Sequence, residues 1–230
     1  RLKAHFELRQ IIHRTMITAG LPESMLAAKI EAWENALPSY LKLAYLPNPG
    51  AVRLRLSAYE VEGESVSKEI ERQFEALRKI IPHNIIGYET ATMQELVHKL
   101  LTERGLTLAT AESCTGGNIA ARFTAMPGAS AYFLCGVVSY SNASKHDILG
   151  VDPEVIARHG AVSEEVARRM AEGARRISGA DYAIATTGIA GPAGGSAEKP
   201  VGTVWIAVAT PHRTTCLLYT SPSPRDRSVS

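Results

Sequence analysis

Three cysteines in 230 residues, with no CxxC pair among them, leave this chain without a disulfide framework. Cys114, Cys135 and Cys216 are expected as reduced thiols, which fits a cytoplasmic protein. The histidines (His5, His13, His83, His98, His146, His159, His212) lack paired ligand spacing, so no metal is expected. No apolar run is long enough to cross a bilayer, and no membrane partner is expected. Neither sign of charge dominates: 25 Lys and Arg face 23 Asp and Glu, a formal net charge of +2. The basic footprint of a nucleic-acid binder is therefore missing. Arg1-Leu2-Lys3 opens the chain with neither an initiator Met nor a signal peptide, and the expectation is a chain that begins inside a longer protein.

What is present is 45% hydrophobic residues, enough for one large core or two small ones, and a texture that changes twice along the chain. Residues 1–91 read as β-α-β-β-α-β, the order of a small α+β, ferredoxin-like sandwich. Val52-Arg53-Leu54-Arg55-Leu56 alternates as a half-buried strand should, and Arg53 and Arg55 read as a solvated face. Val66, Ile70, Phe74, Leu77 and Ile81 share one face of a helix. Residues 92–213 alternate strands and helices, the pattern of an α/β/α layered domain. Thr92 and Glu95 form a capping box at its first helix. Residues 214–230 break the alternation. Their Ser/Pro/Arg content cannot bury a core, and they read as an adaptor-like or disordered tail that leaves the α/β domain truncated.

Polar residues gather in three loops at strand ends, where open α/β sheets bind ligands. In Ala111-Glu112-Ser113-Cys114-Thr115-Gly116-Gly117 a strand delivers hydroxyls to a tight turn opening a helix. Free helix N–H groups there can hold an oxyanion or a phosphate, and Gly116 and Gly117 permit close approach. Ser113 is the leading nucleophile. Cys114 ranks second because no His is placed to activate it. In Ser139-Tyr140-Ser141-Asn142-Ala143-Ser144-Lys145, Lys145 follows Tyr140 by about one helical turn, and a lysine in a low-dielectric pocket can lose its proton and act as a base. The third loop runs from Thr186-Thr187-Gly188 through Gly191 to Gly195. Its glycines imply unusual backbone angles or close ligand contact, and no Walker lysine pattern is present.

These loops carry AESCTGG, PGAS, GVVSYSNASK, GAVSEEVARRMAEGA, TTGIAGPAGG and KPVGTVWIAVA, in that order. In them the chain resembles the CinA carboxy-terminal domain family, the nicotinamide-nucleotide amidases, and the first section resembles the small middle domain of CinA proteins. The resemblance implies a cytoplasmic hydrolase of the pyridine nucleotide cycle and NAD salvage, deamidating nicotinamide mononucleotide without a cofactor. It implies a Ser–Lys site carried by Ser113 and Lys145, with Tyr140 and Ser130 relaying or orienting the proton. It implies substrate contacts at Ser130, Thr115, Gly116, Gly117, Thr187, Gly188 and Gly191, with Thr187 and the glycine loop on the ribose phosphate. A homo-oligomer is expected. The family's FxGDR-like stretch, whose Arg helps hold substrate, has no counterpart here. Two alternatives stay open: a non-catalytic nucleotide-binding adaptor in competence or DNA-damage responses, and part of an ADP-ribose pyrophosphatase whose catalytic domain lies elsewhere.

Overall fold

A computed structural model of the chain describes residues 11–48, 50–59, 64–89 and 91–220. It divides into two compact units, residues 1–96 and 97–230. In the first, β1 (Ile11–Ala19), α1 (Glu23–Asn35), β2 (Leu41–Asn48), β3 (Ala51–Tyr59), α2 (Glu64–Ile80) and β4 (Ile85–Tyr88) follow the expected order. Their sheet runs β2-β3-β1-β4, antiparallel throughout. Alternation along β3 sends Val52, Leu54 and Leu56 to one face. There they meet Met16 and the apolar stripe Val66, Ile70, Phe74, Leu77 and Ile81. The Arg53/Arg55 pair is not the solvated face that its pattern implies. Both residues are half-buried: Arg53 donates to the Ala91 carbonyl at 3.2 Å, and the Arg55 Nε is buried without a partner among the described residues. The segment after β4 folds back over that side of the sheet, which period-two alternation cannot reveal.

The boundary between the units falls inside α3 (Met93–Arg104). Its start is a capping box: the Glu95 carboxylate accepts from the Thr92 N–H at 2.6 Å, and Thr92 Oγ1 accepts from the Glu95 N–H at 3.2 Å. The second unit continues with β5 (Leu108–Glu112), α4 (Asn118–Thr124), a single 3-10 turn (Ala129–Ala131) and β6 (Phe133–Val138). Then come α5 (Asn142–Asp147), α6 (Pro153–His159), α7 (Glu164–Ser178), β7 (Tyr182–Gly188), β8 (Thr203–Ala209) and β9 (Thr214–Thr220). The sheet runs β6-β5-β7-β8-β9, with β6, β5 and β7 parallel and the last two strands antiparallel.

Side-chain parity sorts this sheet into two faces. Odd-numbered Ala109, Ala111, Ala183 and Ala185 pack with Val166, Ala167, Met170, Ala171 and Ala174 of α7. Even-numbered Leu108, Tyr182 and Ile184 pack with Leu101 of α3 and Phe123 of α4. The alanine face lets backbones come close. A Cβ added to Gly173 of α7 would stand 2.1 Å from the Leu149 carbonyl oxygen. Leu149 lies just past α5, so this contact fixes the helix that carries Lys145.

One expectation changes here. Thr214–Thr220 is not tail: it forms β9, paired with β8 over its whole length, and Cys216 packs against the core. An edge strand is held mainly by backbone bonds, so its composition gives little warning. The remainder of that stretch, residues 221–230, lies outside the described residues, as do residues 1–10 of the first section. Between β6 and α7 the chain forms the two short helices α5 and α6. Ser141 caps α5 by accepting from the Ser144 N–H at 3.0 Å. Asp152 caps α6 by accepting from the Glu154 N–H at 2.8 Å, with Pro153 in its first turn.

Candidate active site

Ser113 leaves the carboxyl end of β5, an interior strand between β6 and β7, and its N–H continues the parallel ladder by donating to the Thr186 carbonyl at 3.0 Å. The residue is 8% exposed. Lys145 arrives from the first α5 turns and is 1% exposed, an unusual depth for a lysine. Its Nζ lies 3.1 Å from Ser113 Oγ, 2.8 Å from the Ser139 carbonyl and 3.2 Å from the Tyr140 carbonyl. Burial pulls the amine's pKa below the ordinary lysine value, opposed only by the Cys114 thiol. Among the described residues, no carboxylate acts on it to restore the charge. A neutral amine has two N–H groups, which match the two carbonyls, and one lone pair, which is left for the serine proton.

Glu112, fully buried, organises the other side of the turn. Its carboxylate accepts from the N–H groups of Gly117 at 3.1 Å, Ile119 at 3.0 Å and Ala120 at 2.8 Å. A negative charge there neutralises the positive end of α4 and satisfies its first donors. The α4 start is therefore not the open anion site expected from Gly116 and Gly117. Ser113 N–H is taken by Thr186, and Gly116 N–H by the Ser113 carbonyl. Among the described residues, the N–H groups of Cys114 and Thr115 donate to no carbonyl or carboxylate. Gly116 and Gly117 still serve the turn, at φ values of 59° and 93° that side-chain-bearing residues rarely adopt. Burial raises the Cys114 thiol pKa, which disfavours the thiolate that nucleophilic attack needs.

The remaining sequence candidates scatter. Tyr140 is 76% exposed, and its hydroxyl makes no bond to Ser113 or Lys145; what it brings to the amine is its carbonyl. The proton-relay expectation for its side chain is corrected accordingly: at the end of β6 alternation turns the ring outward. Thr187 lies on the Ser113 face but is 1% exposed, and its hydroxyl donates to the Ala161 carbonyl at 2.8 Å. It ties β7 to the loop before α7 and has no proton free for a phosphate. Thr115 is held from the opposite face, with its Oγ1 2.7 Å from Thr186 Oγ1. Ser130 is exposed in the 3-10 turn and makes no side-chain hydrogen bond among the described residues. Gly188 ends β7 against β8, where an added Cβ would stand 2.7 Å from the Thr203 carbonyl. Gly191, at φ 82°, packs against Val201. Glu112, Thr186 and Ser139 were not singled out by the sequence. Parity along β5, β6 and β7 is the signal that finds them.

Fold and site together define an α/β protein with a buried serine–lysine pair at the carboxyl end of a mixed sheet. The model of the CinA C-terminal domain matches residues 90–229, and that of the damage-inducible protein CinA KH domain matches residues 13–87. The chain belongs to the CinA family. It is 44% identical over its full 230 residues to a CinA-like protein of Flavobacterium psychrophilum, covering 55% of that protein. It is 48% identical over 200 residues to a CinA-like protein of Chloroherpeton thalassium, covering 87% of this chain and 48% of the relative. The chain thus spans about half the length of the curated relatives it matches. Among solved structures, the competence/damage inducible protein CihA of Agrobacterium tumefaciens superposes with a TM-score of 0.55 at 44% identity, over 56% of this chain and 79% of that one. A CinA superfamily protein of Escherichia coli gives a TM-score of 0.55 at 34% identity, over 58% of this chain and 78% of that one. Among the described residues, no helix is long and apolar enough to cross a membrane.

Proposed function

We propose that the second unit is an amidase that hydrolyses the carboxamide of nicotinamide mononucleotide to nicotinate mononucleotide and ammonia. The observation that carries this reading is the buried amine of Lys145, 3.1 Å from Ser113 Oγ and held by two carbonyls. A desolvated amine without a counter-ion beside a serine hydroxyl is a general base beside a nucleophile. The resemblance to the CinA carboxy-terminal domain family supports the choice of substrate class.

In this mechanism Ser113 Oγ attacks the carboxamide carbon while Lys145 takes the hydroxyl proton. The oxyanion meets the N–H groups of Cys114 and Thr115, which among the described residues donate to no carbonyl or carboxylate. Lys145 passes its proton to the departing nitrogen, the C–N bond breaks and ammonia leaves an acyl-serine. Water then attacks the ester, its proton again going to Lys145, which returns it to Ser113 Oγ as the acid departs.

Ammonia release from nicotinamide mononucleotide tests the reading. Turnover is expected in the parent chain and absent from Ser113→Ala. Below the Lys145 pKa, kcat is expected to rise about tenfold per pH unit and to level off before the ordinary lysine value, since only the neutral amine is a base. A flat profile across that range, or turnover by Ser113→Ala, overturns the assignment.

A further inference from the structure

Ser139 carries a hydroxyl that the mechanism above leaves idle. The residue is 0% exposed and its Oγ has no hydrogen-bond partner among the described residues. A buried hydroxyl in that state is a standing cost to the fold. Thr110 has a similar orphan, but its Oγ1 faces Gly136 and Ala120 on the even side of the sheet, away from Ser113. Ser139 is on the reacting side. Cys135 and Val137 of β6 pack with the odd-numbered alanines, and the ladder runs one bond further, from Ser139 N–H to the Glu112 carbonyl at 2.8 Å. Alternation then sends the Ser139 side chain to the face of Ser113. The carbonyl of the same residue already holds Lys145 Nζ at 2.8 Å.

Proton counting gives the orphan a task. At rest, the two N–H groups of the neutral amine match the carbonyls of Ser139 and Tyr140. After taking the serine proton, the amine carries a third N–H, while Ser113 Oγ is bonded to the substrate carbon and is a poorer acceptor. A buried ammonium needs that third acceptor. We infer that the Ser139 hydroxyl supplies it, turning about its Cα–Cβ bond to accept from Lys145 while the tetrahedral intermediate stands. Ser139 is a positioning residue acting through Lys145: it gains and loses no proton, and releases the amine when the proton passes to ammonia. This rests on the Ser113–Lys145 reading above.

Ser139→Ala in the full chain is the test, because it removes an unpaired group and leaves melting temperature unchanged or raised. The expected result is a fall in kcat of about 10- to 100-fold with KM unchanged. The second readout is the rate at which phenylmethanesulfonyl fluoride labels Ser113, followed by intact mass, with Ser113→Ala as the blank. That rate is expected to fall by a similar factor. Parent-like kcat and labelling in Ser139→Ala overturn the inference, as does a lowered melting temperature with the loss confined to KM. If the parent releases no ammonia but Ser113 is labelled, and more slowly in Ser139→Ala, the substrate assignment fails and the inference stands. If the parent is not labelled at Ser113, both fall together.

Discussion

The first unit closes its core with Leu26, Ile30, Leu54, Leu56, Phe74 and Leu77; the second closes its sheet on α7 with Ala109, Ala111, Ala171, Ala174, Ala183 and Ala185. Large side chains fill space by interdigitating. Small ones let main chains approach until carbonyls and N–H groups line the interior. That difference decides where polar groups can be buried. At the carboxyl ends of β5, β6 and β7 the second unit encloses Glu112, Ser113, Ser139, Lys145, Thr186 and Thr187. Lys145 can sit there because two backbone carbonyls replace water around it. A core of large apolar side chains offers no such acceptors, and the same amine would be strongly penalised.

The contrast can be broken by substitution, and the largest effect belongs to the site. Ser113→Ala is expected to cost on the order of 10⁵- to 10⁶-fold in kcat while leaving the melting temperature within a few degrees. Leu54→Ala, in the fully buried core of the first unit, does the reverse and costs about 2–5 kcal/mol in a denaturant titration. If Ser113→Ala melts much earlier than the parent, the serine is structural. Gly173→Ala tests the close approach itself. The added methyl overlaps the Leu149 carbonyl, so about 3 kcal/mol of stability is expected to go, together with turnover, because α5 is pushed from Ser113. In the first unit, Ala58 offers the control: an overpacking Ala58→Val lowers stability by a smaller amount, measured by the same titration. Glu112→Ala leaves the first α4 donors unpaired and is expected to lower stability by about 2 kcal/mol. Thr92→Ala removes half of an exposed capping box and costs about 1 kcal/mol, read as a small shift in melting temperature.

Much of the fold was legible because the first unit announces itself by size. The stripe Val66, Ile70, Phe74, Leu77 and Ile81 can bury itself only as a helix against a sheet, and it does. The Thr92/Glu95 box fixes the start of α3 to within a residue, since few residue types can satisfy helix-end donors. In the second unit the strands could be read, but β9 could not. Its pairing with β8 lies in the backbone, and its side chains are mostly outward. The site followed the same rule. Ser113 and Lys145 stand out as a pair through the family resemblance; taken alone, a serine at a strand–helix turn reads equally as a helix cap and a lysine beyond an apolar strand as a solvated charge. Tyr140 and Thr187 were read with roles their surroundings rule out, because no local pattern says whether a side chain turns outward or spends its proton on a neighbouring loop. Glu112 was passed over since a carboxylate before a serine resembles any surface acid until α4 is seen to start above it.

The Glu112 carboxylate has a bearing on how a reaction cycle would end. Hydrolysis of an amide turns an uncharged group into an anion, and an uncapped helix start beside Ser113 would grip that anion after every turnover. With Glu112 already seated on Gly117, Ile119 and Ala120, the local field no longer rewards the acid over the amide. Under the proposed reaction the turn would thereby be spared from trapping its own product, and release of the acid would be as much a constraint on it as the attack on the amide.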